Sequence, residues 1–127
     1  MGHAQSEIDI ARSADDVWAV AGDFGGLEWM PGVDSCIVDG DERTLAMLGM
    51  EIVERQLRRD DADRTLTYGI VGGPLNVTHH EATISVTPRG DDAHVTWTVD
   101  VDPDSLTDIM QQTYQGALEA LKGRLEG

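Results

Sequence analysis

The chain is short of positive charge. Against 24 Asp and Glu it carries 9 Lys and Arg, a formal net charge of −15. Such a surface repels phosphate backbones, which argues against nucleic acid as a partner, and it disfavours anionic membrane surfaces. No apolar run is long enough to span a bilayer, so no transmembrane helix is expected. Met1 to Arg12 is too polar for a signal peptide. The one cysteine, Cys36, cannot form an internal disulfide. It fits a reducing cytoplasm, either as a buried inert thiol or as a reactive one. Aromatic residues make up 5% of the chain, and repeats and low-complexity tracts are absent. P-loop, Ser-His-Asp and Cys-His patterns are absent too. Gly72-Gly73-Pro74 lies between two predicted strands rather than before a helix, so it is no phosphate cradle of the usual type. What remains is 127 residues, enough for one domain over 1–127 with a real core.

The last stretch organises that core. From Pro103 to about Glu126, apolar or small residues recur at spacings of three and four: Leu106, Met110, Thr113, Ala117, Leu121 and Leu125. Ile109, Tyr114 and Leu118 flank this face and widen it, as a helix laid on a sheet requires. Pro103 suits a first turn, and Ser105 with Asp108 forms a capping pattern. Thr113, Gly116 and Ala117 are small or polar in mid-helix. They either leave room above a sheet or allow close helix–sheet contact.

Upstream, Ser6 to Ala11 alternates apolar and polar residues and predicts a half-buried strand. Ser13 and Asp16 form a capping box for a helix containing Val17, Trp18, Val20 and Ala21. Gly26 to Val33 predicts a short second helix or a turn, ended by Pro31-Gly32. Trp29 and Met30 on this segment either plug one end of the core or line a pocket mouth. Strands are then expected at Cys36–Val38, Arg43–Leu48, Glu51–Arg58, Arg64–Val71, Asn76–Pro88 and Ala93–Val101, separated by turns. The order is strand, two short helices, about six antiparallel strands and one long helix. This is an α+β chain of about seven strands, whose sheet curls around the C-terminal helix and buries one face on it. Glycines and prolines at the sheet corners serve the bending.

Three segments carry a resemblance: Ile8 to Val33, Val53 to Leu75, and Glu81 to Val99. Through them the whole chain resembles the START/polyketide cyclase–dehydrase superfamily. Its helix-grip fold is shared with the birch-pollen-allergen proteins and the plant abscisic acid receptors. The resemblance implies an elongated cavity between sheet and last helix, open at the end lined by turns. In the receptors a glutamate beginning an E-R-L motif lines the pocket, and Glu54 of E-R-Q stands there. Two loops close the mouth, corresponding to Leu48-Gly49-Met50 and Gly73 to Val77. Many relatives carry a tyrosine where His80 stands. Fold alone does not decide activity, because the superfamily includes carriers, receptors and cyclases.

Strand parity adds to this picture. Ala82, Ile84 and Val86 share one face of the long strand, so His80 and Thr78 point inward with them while His79 points out. Adjacent histidines facing opposite ways make no zinc site, and no ligand cluster stands elsewhere, so no metal is expected. No cofactor is expected either. Glu54 and His80 are the candidate catalytic pair. Such a dyad could do general acid–base work, could anchor a ligand without chemistry, or could be a satisfied structural group. Candidate ligand-binding residues are Trp29, Met50, Tyr68, Leu75, Thr78, Ala82, Trp97, Met110, Thr113 and Ala117. The direction of Tyr68 is left open by the adjacent Gly69. Trp97 and Tyr114 read equally as core.

The expected function is binding of a small apolar or aromatic molecule, of lipid, polyketide or terpenoid type, with an oxygen for Glu54 or His80. The alternative is a cofactor-independent cyclase/dehydratase using that pair, and a third reading is an acidic docking domain for a basic partner. A monomer or homodimer is expected. An exposed Trp29–Met30 or Leu48–Met50 patch would favour the dimer.

Overall fold

The computed structural model describes residues 1–127. β1 (Gly2–Ile10) leads into α1 (Ala14–Ala21), and six strands follow: β2 (Val33–Asp39), β3 (Glu42–Met47), β4 (Met50–Asp60), β5 (Thr65–Gly72), β6 (His79–Arg89) and β7 (Asp92–Asp102). A single turn of tighter helix, Asp104–Leu106, precedes α2 (Thr107–Glu126). The seven strands form one antiparallel sheet in the order β1-β7-β6-β5-β4-β3-β2. β2 to β7 run as a meander, and β1 returns to pair with β7. This is the helix-grip arrangement: α2 lies across β1 and β7, and α1 packs on β6 and β7. No helix is long and apolar enough to cross a membrane.

Local chemistry accounts for most boundaries. Ser13 caps α1, its Oγ accepting the Asp16 N–H at 3.2 Å. Alternation along β7 buries Val95, Trp97, Val99 and Val101 on the concave face. Burying α2 against that face covers Leu118 and Leu121 completely, about 1.5–3 kcal/mol for each side chain.

Four expectations need correction. The segment after α1 contains turns and no second helix, since Gly25, Gly26 and Pro31-Gly32 punctuate it too densely for a nucleus to propagate. The last helix begins at Thr107, with no side-chain cap bond at its start, so the Ser105–Asp108 pattern is not used as a cap. β1 begins at Gly2, because β7 offers ladder partners as far as Val101 even where the sequence does not alternate. The buried face of α2 is Met110, Tyr114, Ala117, Leu118 and Leu121, and Gly116 is exposed. Gly116 lies about 200° around the helix from Tyr114 at about 100° per residue, so it opens no space toward the sheet.

Candidate functional site

β3, β4 and β5 hold one wall of a cavity and α2 the other. Its volume is about 170 Å³, and eighteen residues line it, fifteen of them hydrophobic. Leu45, Met47, Met50, Ile52 and Ile70 come from the sheet, and Leu106, Ile109, Met110 and Thr113 from the helix region. The β3–β4 hairpin supplies the mouth. Met47 pairs with Met50, which leaves Leu48-Gly49 as a two-residue loop. Both residues have positive φ, +52° and +79°, as a type I′ turn demands. Leu48 pays for this in strain, and it is 73% exposed while lining the cavity. Leu75 lines the cavity from the segment before β6.

Two charges sit inside this apolar shell. Arg43 on β3 and Glu54 on β4 are cross-strand partners, and both are buried. Arg43 Nε donates to Glu54 Oε1 at 2.9 Å, Nη2 lies 2.8 Å from the same oxygen as an ion-pair contact, and Nη1 donates to the Phe24 carbonyl at 2.9 Å. The guanidinium also lies 4.3 Å from the centre of the Phe24 ring and 4.8 Å from that of Tyr68. Burial pushes the Glu54 carboxyl above its ordinary value, and the neighbouring Arg43 opposes that shift through its charge and its hydrogen bond. Both Arg43 contacts fall on Oε1, so Oε2 of this cavity-lining residue has capacity left for a ligand.

Next to the pair stands a chain of hydroxyls and rings. Tyr68 points inward, and its hydroxyl accepts the Trp97 indole N–H at 3.1 Å. Trp97 stacks on Tyr114 with ring centres 4.3 Å apart and planes within 5°. The Tyr114 hydroxyl lies 3.1 Å from His80 Nε2. The Ile70 amide donates to His80 Nδ1 at 3.1 Å. Because that nitrogen accepts, the imidazole proton sits on Nε2 and is donated to Tyr114. Burial lowers the His80 pKa to about 4, with the nearby His79 charge acting in the same direction. Burial raises both phenols, Tyr68 and Tyr114, so they keep their protons.

The expected Glu54–His80 contact is not formed. The two residues come from β4 and β6, with β5 between them, and two strand spacings amount to about 9–10 Å. β5 and β6 pair only from Thr65 to Tyr68. Beyond Tyr68 the strands part, and the His80 side chain takes the Ile70 N–H that the ladder has released.

Of the other expected residues, Met50, Tyr68, Leu75, Trp97, Met110 and Thr113 line the cavity. His80, Trp29, Thr78, Ala82 and Ala117 stand outside its lining. Trp29 is buried against Trp97, ring centres 6.3 Å apart, and closes one end of the core. Thr78 precedes the first residue of β6, so strand parity does not govern it; it is exposed, with its hydroxyl bonded to Asp102. Ala82 and Ala117 are fully packed. Cys36 is half-buried, and burial raises its thiol pKa. No group of three or more His, Cys, Asp or Glu is placed to hold a metal ion.

Sequence reasoning missed Arg43. The signal was present: Arg43 shares parity with Leu45 and Met47, both buried.

The comparisons agree with this architecture. The family model for polyketide cyclase / dehydrase and lipid transport matches residues 1–126. No curated protein matches the chain. Among solved structures, the protein XoxI from Bacillus cereus is 28% identical, with a TM-score of 0.93 over 100% of this chain and 99% of that one. An uncharacterized protein from Bacillus thuringiensis is 26% identical, with a TM-score of 0.92 over 99% of this chain and 100% of that one. A START superfamily protein from Mycobacterium smegmatis shares the fold at 18% identity, with a TM-score of 0.86 over 99% of this chain and 98% of that one.

Proposed function

The chain belongs to the polyketide cyclase / dehydrase and lipid transport family, and from that premise we propose that it binds a small apolar or aromatic molecule between its sheet and α2. The observation that carries this reading is the cavity: fifteen apolar side chains around one buried ion pair. Apolar walls supply affinity, and a few polar groups fix orientation. Native mass spectrometry of freshly purified protein, paired with solvent extraction, tests it. The expected result is a co-purifying apolar compound, or saturable uptake of toluene, read by calorimetry, that Met110→Trp abolishes by filling the cavity. An apo mass together with no toluene uptake by the folded wild type would overturn the reading.

A second reading, cofactor-free cyclisation or dehydration, rests on Glu54. Burial raises the pKa of its carboxyl against the opposing pull of Arg43, and the Arg43 contacts leave Oε2 unused. His80 is poorly suited to act as the base, since its only lone pair is taken by the Ile70 amide. On this reading Glu54→Gln keeps ligand affinity and loses about 10²-fold or more in turnover. Loss of affinity with no turnover in the wild type favours the carrier.

A further inference from the structure

The cavity constrains its occupant in size, charge and hydrogen-bond polarity, and the three constraints select a narrower class than the family's range. The inference rests on the binding reading above.

Size comes first. About 170 Å³ is available, and an engineered cavity of about 150 Å³ in another protein holds one benzene ring. One ring with a short substituent fits inside. A multi-ring polyketide or a long acyl chain does not.

Charge comes second. The two ionised groups in the lining neutralise one another, Arg43 and Glu54 being in contact at 2.9 and 2.8 Å. An anionic ligand would face Glu54 and compete with it for Arg43, and a cationic one would face Arg43 and compete for Glu54. Either exchange leaves a buried charge unpaired. The net charge of −15 adds a long-range penalty for anions. The ligand that disturbs nothing is neutral.

Polarity comes third. Trp97 Nε1–H is donated to the Tyr68 oxygen, and His80 Nε2–H to the Tyr114 oxygen. Both phenol oxygens therefore already accept a proton from nitrogen. Each phenol still has its own O–H, and Trp97 joins the two on the cavity wall, bonded to Tyr68 and stacked on Tyr114. Neither phenol proton is taken by an acceptor in the bonds the two hydroxyls form, His80 and Trp97 being the donors. Thr113 offers no competing donor, since its hydroxyl is donated to the Ile109 carbonyl at 2.7 Å.

We propose that the ligand is a compact, neutral, single-ring molecule with a carbonyl-type oxygen, such as an aryl ketone, aldehyde or ester, and that the Tyr68–Tyr114 pair donates the hydrogen bond that holds this oxygen.

Four probes separate the terms: acetophenone, ethylbenzene (the same shape without an acceptor), benzoate (the same ring with a charge) and palmitate. Binding is read by calorimetry or by tryptophan fluorescence, since Trp97 lines the cavity. Acetophenone is expected to bind at least about tenfold more tightly than ethylbenzene, from one buried hydrogen bond, and more tightly than either anion. Tyr114→Phe and Tyr68→Phe, each checked for an intact fold by circular dichroism, separate the donors. The acetophenone preference should collapse to within threefold in at least one of them, while ethylbenzene affinity holds. Benzoate or palmitate binding ahead of acetophenone overturns the proposal while leaving the binding function standing. So does a preference unchanged in both variants. Failure of all four probes and of toluene would instead remove the binding function itself.

Discussion

Arg43 and Glu54 meet across the β3–β4 ladder, with two guanidinium nitrogens on one carboxylate oxygen at 2.9 and 2.8 Å, inside an apolar cavity. Their side chains are 5% and 9% exposed, so neither charge is well solvated alone. Removing one partner strands the other. Arg43→Met and Glu54→Leu are each expected to destabilise the fold by roughly 3–5 kcal/mol, and the double variant by less than either single one. Urea denaturation of the three variants measures the coupling. A double variant as unstable as the sum of the singles would refute it.

His80 gives the fold a defined acid sensitivity. Its pKa is about 4 in the folded protein against an ordinary 6.5, because burial disfavours the imidazolium. The unfolded chain binds the proton first as pH falls. The His80 contribution is therefore fully present above about pH 6.5 and is lost as pH falls toward 4, by roughly 3 kcal/mol in total. Carboxylates also titrate in acid, so the measurement is the difference between wild type and His80→Gln. Over this window the wild type should lose stability faster than the variant. Parallel pH profiles would show that His80 is not the sensing group.

Leu48 is held at φ +52° in the β3–β4 turn. A bulky residue there costs about 1 kcal/mol or more, while asparagine tolerates this region. Leu48→Asn creates the Asn-Gly turn favoured by two-residue hairpins. It should raise Tm by a few degrees while loosening ligand retention, since the apolar side chain leaves the cavity mouth. Scanning calorimetry and ligand off-rates test both halves. A lowered Tm would show that Leu48 packing outweighs its strain.

Gly69 sits where β5 and β6 part. A Cβ there would come within 2.6 Å of the His80 carbonyl oxygen, a backbone atom that cannot swing aside. Gly69→Ala should cost about 1–3 kcal/mol by overpacking. It should also shift His80 relative to Ile70, which the His80 ring resonances would report in NMR. Wild-type stability in this variant would mean that the strands move apart freely.

Much of this molecule is legible along the chain. Alternation in Val95, Trp97, Val99 and Val101 marks the concave face of β7. Parity set His80 inward and His79 outward, as the strand holds them. The family resemblance implied a mouth closed by Leu48-Gly49-Met50 and Gly73 to Val77, and Leu48, Met50 and Leu75 line the cavity. The strand readings are period-two signals, and a sheet with one buried face must obey them.

Partnership was another matter. Arg43 opens the strand expected at Arg43–Leu48 and shares the parity of Leu45 and Met47, but parity names no partner for it. Only the β3–β4 register sets it opposite Glu54, and only the curl of the sheet takes both from water. The same holds for His80. Its inward direction follows from parity, but its partners come from β5 and α2, far away in sequence. The sequence by itself determined which side chains face the interior, because backbone periodicity is a local property. The tertiary structure alone decided which of them touch. Hydrogen bonds and ion pairs form over about 3 Å, and that proximity is set by strand register and helix docking, which no local pattern encodes.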